Sequence, residues 1–121
     1  MITPSQIIQY IAKHYQVNPA YLWAKFPEYG VFRHLNSGKW FAILMNIPGN
    51  KIGLSHTETI WIINVKAQPE MIGALRMIKG VYPAYHMNKE HWMSLHLAEI
   101  SPSLLWECIQ NSFSLTQQKK R

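Results

Sequence analysis

The chain contains no aspartate, a single cysteine and no long apolar run, and each absence narrows what it can be. Without Asp, the carboxylate that most often orients a catalytic histidine or holds a phosphate-bound metal is missing, and all six acidic residues are Glu. With only Cys108 no internal disulfide can form, which fits a reducing cytoplasm. The longest uninterrupted apolar stretch, Trp40 to Met45, falls far short of the roughly 20 residues of a membrane-spanning helix. The opening MITPSQ also lacks the basic and apolar regions of a signal peptide. The expectation is a cytoplasmic protein that does not enter a membrane.

What is present is enough to fold. In 121 residues, 48% are apolar, and five Trp, six Tyr and four Phe supply large side chains to bury, so one core and one domain are expected. The domain should span residues 1–116, with 117–121 as a basic tail. That tail matters for the charge: Lys119, Lys120 and Arg121 supply half of the formal +6, leaving the folded body at +3. This is a modest excess for a protein that binds nucleic acid.

Local signals give the order of elements. Thr3 as N-cap, Pro4 at the first position and Gln6 three residues on predict a capped helix, with Ile2 and Ile7 as a hydrophobic staple. Ile7, Ile8, Ile11 and Tyr15 continue it at helical spacing. Pro19 and Pro27 bracket a short turn or helical piece. YGVFRHL and KWFAILMNI, around Asn36, Ser37 and Gly38, read as a hairpin, and a long connection over residues 48–58 leads to a third strand, TIWIINVKA. A second helix starts at Pro69, carries Met71, Ile72, Leu75 and Ile78 as its stripe, and ends at Gly80. Val81 to Met87 and Trp92 to Ala98 read as two further strands. Ser101 and Pro102 open a last helix with Leu104, Leu105, Cys108 and Ile109 inward, before a frayed TQQKKR. The predicted fold is α+β, a two-layer α/β sandwich in the order α-β-β-β-α-β-β-α, its antiparallel sheet carrying helices mainly on one face. KWFAILMNI is apolar at both parities, so its second face needs a cover: the Trp23/Phe26 segment or a partner.

The histidines His14, His34, His56, His86, His91 and His96 invite a metal site, and strand parity argues against it. His91 and His96 are five apart and point to opposite sides of a strand, while His86 and His91 meet only around a two-residue Asn88–Lys89 loop without glycine. A loop of odd length instead sets Tyr85 opposite Met93, which groups Tyr85, Met87, Met93, Leu95 and Leu97 inward. His86, Trp92, Ser94 and His96 then face outward, with Asn88 and Lys89 at the tip. No HExxH, paired-Cys or GxSxG pattern occurs, and Cys108 lies on an apolar helix stripe, so no catalytic residue, metal or cofactor is expected. Exposed aromatics and basic turns suit nucleic acid: Arg33, His34 and Lys39 in the first hairpin, Lys51 and His56 in the long connection, and the last hairpin. The residues alone leave three roles open: nucleic-acid binding, protein interaction or self-association through an apolar sheet face, and an enzyme of an unrecognised kind.

Taken together, FRHLNSGKWFAILMN, INVKAQPEMIGALR and above all YPAYHMNKEHW resemble the MmcQ/YjbR family of small bacterial proteins. The resemblance spans almost the whole chain. It implies a CyaY-like two-layer fold similar in architecture to secretion chaperones, DNA binding through a double-wing arrangement, and no established enzymatic activity or cofactor. Carried over by motif, it implicates Lys39, Trp40, His86, Asn88, Lys89, His91 and Trp92. With Arg33 and Lys51 from the basic turns, these form the candidate DNA-binding set of a non-catalytic protein. A protein-interaction module or homodimer is the alternative.

Overall fold

Thr3 and Gln6 cap the first helix reciprocally: the Thr3 hydroxyl accepts from the Gln6 amide at 3.2 Å, and the Gln6 side-chain oxygen accepts from the Thr3 amide at 2.9 Å. Ile2 and Ile7, on either side of this box, are both buried in the same core. Helix α1 thus runs Pro4–Tyr15 with Ile7 and Ile11 inward. The fold is that of a computed structural model, which describes residues 2–117.

Strands β1 (Gly30–Arg33), β2 (Trp40–Pro48) and β3 (Thr59–Lys66) follow, then helix α2 (Pro69–Leu75), strands β4 (Val81–Pro83) and β5 (Trp92–His96), and helix α3 (Pro102–Thr116). The five strands form one antiparallel sheet in the order β1-β2-β3-β5-β4. One face packs against the helices through a core that includes Ile7, Ile11, Phe32, Phe41, Ile63, Leu95, Leu105 and Ile109. The α+β architecture and element order expected from sequence are those observed. Among the described residues, no helix is long and apolar enough to cross a membrane.

The face without helices has its own core of Tyr29, Val31, Ile43, Met45, Ile47, Ile52 and Ile62. Its cover comes from within the chain. Residues 20–29 cross this face as an irregular segment, tied by an Ala20–Val31 bridge, with Trp23 edge-on to Tyr29 and Trp40, and Phe26 stacked on Tyr29 at 4.7 Å. This is why β2 is apolar at both parities.

A bulge in β2 explains a second irregularity. Phe32 pairs with Ala42 and Arg33 with Trp40, so Phe41 has no partner on β1 and joins Ala42 on the helix side. On the other flank the β2–β3 ladder stops at Ala42–Val65. There the Ser112 hydroxyl of α3 enters the gap, accepting from the Lys66 amide at 2.8 Å and donating to the Phe41 carbonyl at 2.6 Å. One side chain satisfies both ladder groups and fixes α3 to the sheet.

Several boundaries differ from expectation. Helix α2 ends at Leu75, because residues 76–80 fold into successive turns before a left-handed Gly80 (φ 92°) enters β4; Ile78, beyond the helix, and Met71, within it, are both exposed. Strand β4 stops at Pro83, which has no amide to donate and which takes the place opposite Met93 expected for Tyr85, so the hairpin predicted over Val81–Met87 and Trp92–Ala98 becomes an eight-residue connection, 84–91. Tyr85 and Met87 consequently leave the sheet and pack on the helix-free face, whereas Met93, Leu95 and Leu97 belong to the helix-side core. Thr116 is the last residue of α3 and is buried, although TQQKKR reads as frayed. The remainder of that tail, 118–121, lies outside the described residues.

Candidate nucleic-acid interface

Because β1, β3 and β4 end where β2 and β5 begin, the turn 34–39 and the connection 84–91 project from the same end of the sheet. Their flanks share a row on the helix-free face: Arg33 pairs with Trp40, and Lys66 with Trp92. With strands about 4.8 Å apart, this row of two cations and two indoles spans roughly 15 Å. Lys39 closes the first turn, its carbonyl accepting from the His34 amide at 2.8 Å, and a left-handed Gly38 (φ 75°) makes that turn possible. Lys89, exposed, stands in the second turn beside the carboxylate of Glu90.

Two buried polar groups hold the second connection in place. Asn64 and Ser94, both fully buried, are cross-strand neighbours on the helix-free face. The Asn64 amide donates to the Tyr85 carbonyl at 2.8 Å, the Ser94 hydroxyl donates to the Asn64 oxygen at 2.6 Å, and the Tyr85 amide donates to Ser94 at 2.9 Å. These bonds link Asn64, Ser94 and both backbone groups of Tyr85, so the connection is pinned over the sheet. His86 adopts a left-handed conformation (φ 57°) as the backbone turns away from the latch. Asn88 then organises the second turn, its side-chain oxygen accepting from the Glu90 amide at 2.7 Å and its carbonyl from the Trp92 amide at 2.9 Å.

Between this pinned connection and the 20–29 segment lies a groove of about 250 Å³, floored by Ile43, Met45 and Asn64 and walled by aromatic rings. Trp23 is 37% and Phe26 49% exposed along its edge. Burial pushes the Tyr29 hydroxyl above its ordinary value, with Tyr85 adding to the effect.

Eight of the nine candidate residues, Arg33, Lys39, Trp40, His86, Asn88, Lys89, His91 and Trp92, are gathered at this end. Lys51 is not: it sits in a single 3₁₀ turn (Gly49–Ile52) beyond the far end of β2, roughly 25 Å away along a nine-residue strand. Three outward assignments are corrected. Ser94 is the buried latch. His96 is buried, its Nδ1 2.7 Å from a Glu99 carboxylate that also accepts from the Tyr82 hydroxyl. His34 is buried beneath α3, its Nε2 2.7 Å from the Thr116 hydroxyl, and burial lowers its pKa. Sequence reading missed Lys66, which enters the row only through the pairing of β3 with β5, and the groove itself, which needs Trp23 and Tyr85 on one face. Among the described residues, no three metal-ligating side chains converge.

The sequence profile of the YjbR family matches residues 12–115. A Bacillus subtilis relative described as the uncharacterised protein YyaQ is 36% identical over 118 residues, covering 97% of this chain and all of the relative. A crystal structure of a Pseudomonas syringae protein superposes with a TM-score of 0.94 at 44% identity, over 96% of this chain and 100% of that one. A Deinococcus radiodurans protein with a DUF419 domain, 22% identical, shares the fold at a TM-score of 0.74 over 98% of this chain and 81% of its own.

Proposed function

We propose that this chain, which belongs to the YjbR family, is a non-catalytic DNA-binding protein whose two projecting turns grip phosphates. The observation that carries the reading is the sheet order, which brings Lys39 and Lys89 to one end with Arg33 and Lys66 between them. Four cations gathered at one end of the sheet concentrate positive charge there that the modest total charge conceals. Phosphate contacts of this kind position a protein without reading sequence, so binding of low sequence preference is expected.

Salt-dependent titration of a DNA duplex tests it. Each phosphate contact contributes about 0.9 to the slope of log affinity against log salt. Replacing Arg33, Lys39 and Lys89 together by Ala should therefore flatten the slope by roughly 2 to 3, and Lys51→Ala, at the far end, should leave it unchanged. Neutralising Lys119, Lys120 and Arg121 in the full chain separates any contribution of the basic tail. An unaltered slope in the triple variant refutes the two-turn reading. Salt-insensitive capture of protein or self-association through the Trp23/Phe26 face would instead favour an interaction module.

A further inference from the structure

The groove has a composition that phosphate contact does not require. Its walls are Trp23, Phe26 and Tyr29 on one side and Tyr85, His86 and Met87 on the other, with two of these rings substantially exposed to water. Exposed apolar rings of this kind mark a contact surface, and their faces favour stacking with a planar group. The cations of the two turns flank the same face, so the occupant carries negative charge beside a flat ring. A cavity of about 150 Å³ accepts benzene, so a groove of about 250 Å³ has room for one heterocyclic base. In a B-form duplex the bases remain stacked inside the helix and cannot enter.

We infer that this groove receives one unpaired base of a single-stranded DNA, while the phosphates on either side of that base run to Lys39 and Lys89. The inference rests on the DNA-binding reading and adds to it the class of DNA. The base stacks against the exposed rings of Trp23 and Phe26, and every base offers a π-face, so the contact tolerates sequence. The pinned 84–87 connection supplies a fixed opposite wall, which limits the ordering cost of binding.

The full chain is titrated by fluorescence anisotropy, at one salt concentration, with three probes: a labelled 12-mer of thymidylate, the same strand with abasic sites at its four central positions, and a duplex of the same length. Stacking of one base is expected to make the intact strand bind about tenfold more tightly than the abasic strand. It should also bind more tightly than the duplex, despite the duplex's greater charge density. Phe26→Ala and Trp23→Ala, both at solvent-exposed positions, should each remove most of that advantage while leaving the abasic strand, the duplex and the salt slope unchanged. Equal affinity for intact and abasic strands overturns the inference and leaves DNA binding standing. Equal losses on all three probes in the groove variants also overturn it. Failure of every probe to bind refutes the DNA-binding reading, and the inference with it.

Discussion

Ser112→Ala removes one oxygen and disconnects two elements. The hydroxyl is fully buried, accepts from the Lys66 amide and donates to the Phe41 carbonyl, and stands where the β2–β3 ladder would otherwise have continued. Without it, a backbone donor and acceptor face each other across a gap too wide for a direct bond, and the space of a single oxygen is too small to admit a bridging water. A buried group left unmatched costs about 1–3 kcal/mol. Two such groups, less about 0.5 kcal/mol regained from the higher helix propensity of Ala, give a net loss of roughly 1.5–5.5 kcal/mol. That is a large fraction of the 5–15 kcal/mol expected for a domain of this kind, and corresponds to a melting temperature lower by about 10 °C. Urea unfolding at fixed pH measures it, with the exposed Ser103→Ala of the same helix as control, expected within about 0.5 kcal/mol of the parent. Hydrogen exchange should also show the Lys66 amide losing protection. If Ser112→Ala unfolds at the same urea concentration as the control, the hydroxyl does not complete the ladder and the account of the bulge is wrong.

Stability should also fall on mild acidification. His34 has its pKa lowered by burial, so between that value and the unfolded value near 6.5 the unfolded chain holds more protons, and stability rises with pH through that window. It is fully present above 6.5 and is lost as pH drops below; His34→Gln should flatten the dependence between pH 5 and 7 in urea titrations, and a parallel pH profile in the variant would exclude His34 as its source. Gly80→Ala should destabilise by about 2 kcal/mol or more, since the left-handed φ of 92° disfavours a side chain. A Cβ there would also lie 2.6 Å from the Ile100 backbone. A thermal melt within 2 °C of the parent would contradict that close approach.

How much of this could be read from sequence follows from the range of each interaction. The capping box of Thr3 and Gln6 acts across three residues, so it is visible in the letters. The helical stripe of α3 is visible as well, because Leu105, Cys108 and Ile109 answer to one neighbouring sheet. The adjacency of β3 and β5 depends on residues some thirty positions apart, and no local signal places Lys66 beside Trp92. Tyr85, Met87 and Met93 have strand-like alternation, yet the chain leaves the sheet after Pro83 and carries the first two to the opposite face. Alternation states which side chains want burial, and it does not state in which of two cores. The candidate interface was legible to the same degree: its residues can be named from basic turns and family resemblance, whereas the separation of Lys51 and the presence of the groove are consequences of topology.

The Asn64–Ser94 pair shows why the groove wall stands where it does. On the helix-free face one transverse row runs Val31, Ile43, Asn64, Ser94 and Tyr82, so the two polar residues occupy places that apolar side chains could fill. Burying Asn and Ser costs free energy unless every polar atom is matched, and the only backbone that can match them is that of Tyr85, reached on both its amide and its carbonyl. The pair therefore discriminates between positions of the 84–87 connection: were it moved by a residue in either direction, the Asn64 amide would lose its acceptor at Tyr85 and the Ser94 hydroxyl its donor. An apolar pair would bury as well and specify nothing. Position, more than stability, is what these two residues contribute, and through it they set the distance between Tyr85 and the Trp23–Tyr29 wall across which a single base is proposed to fit.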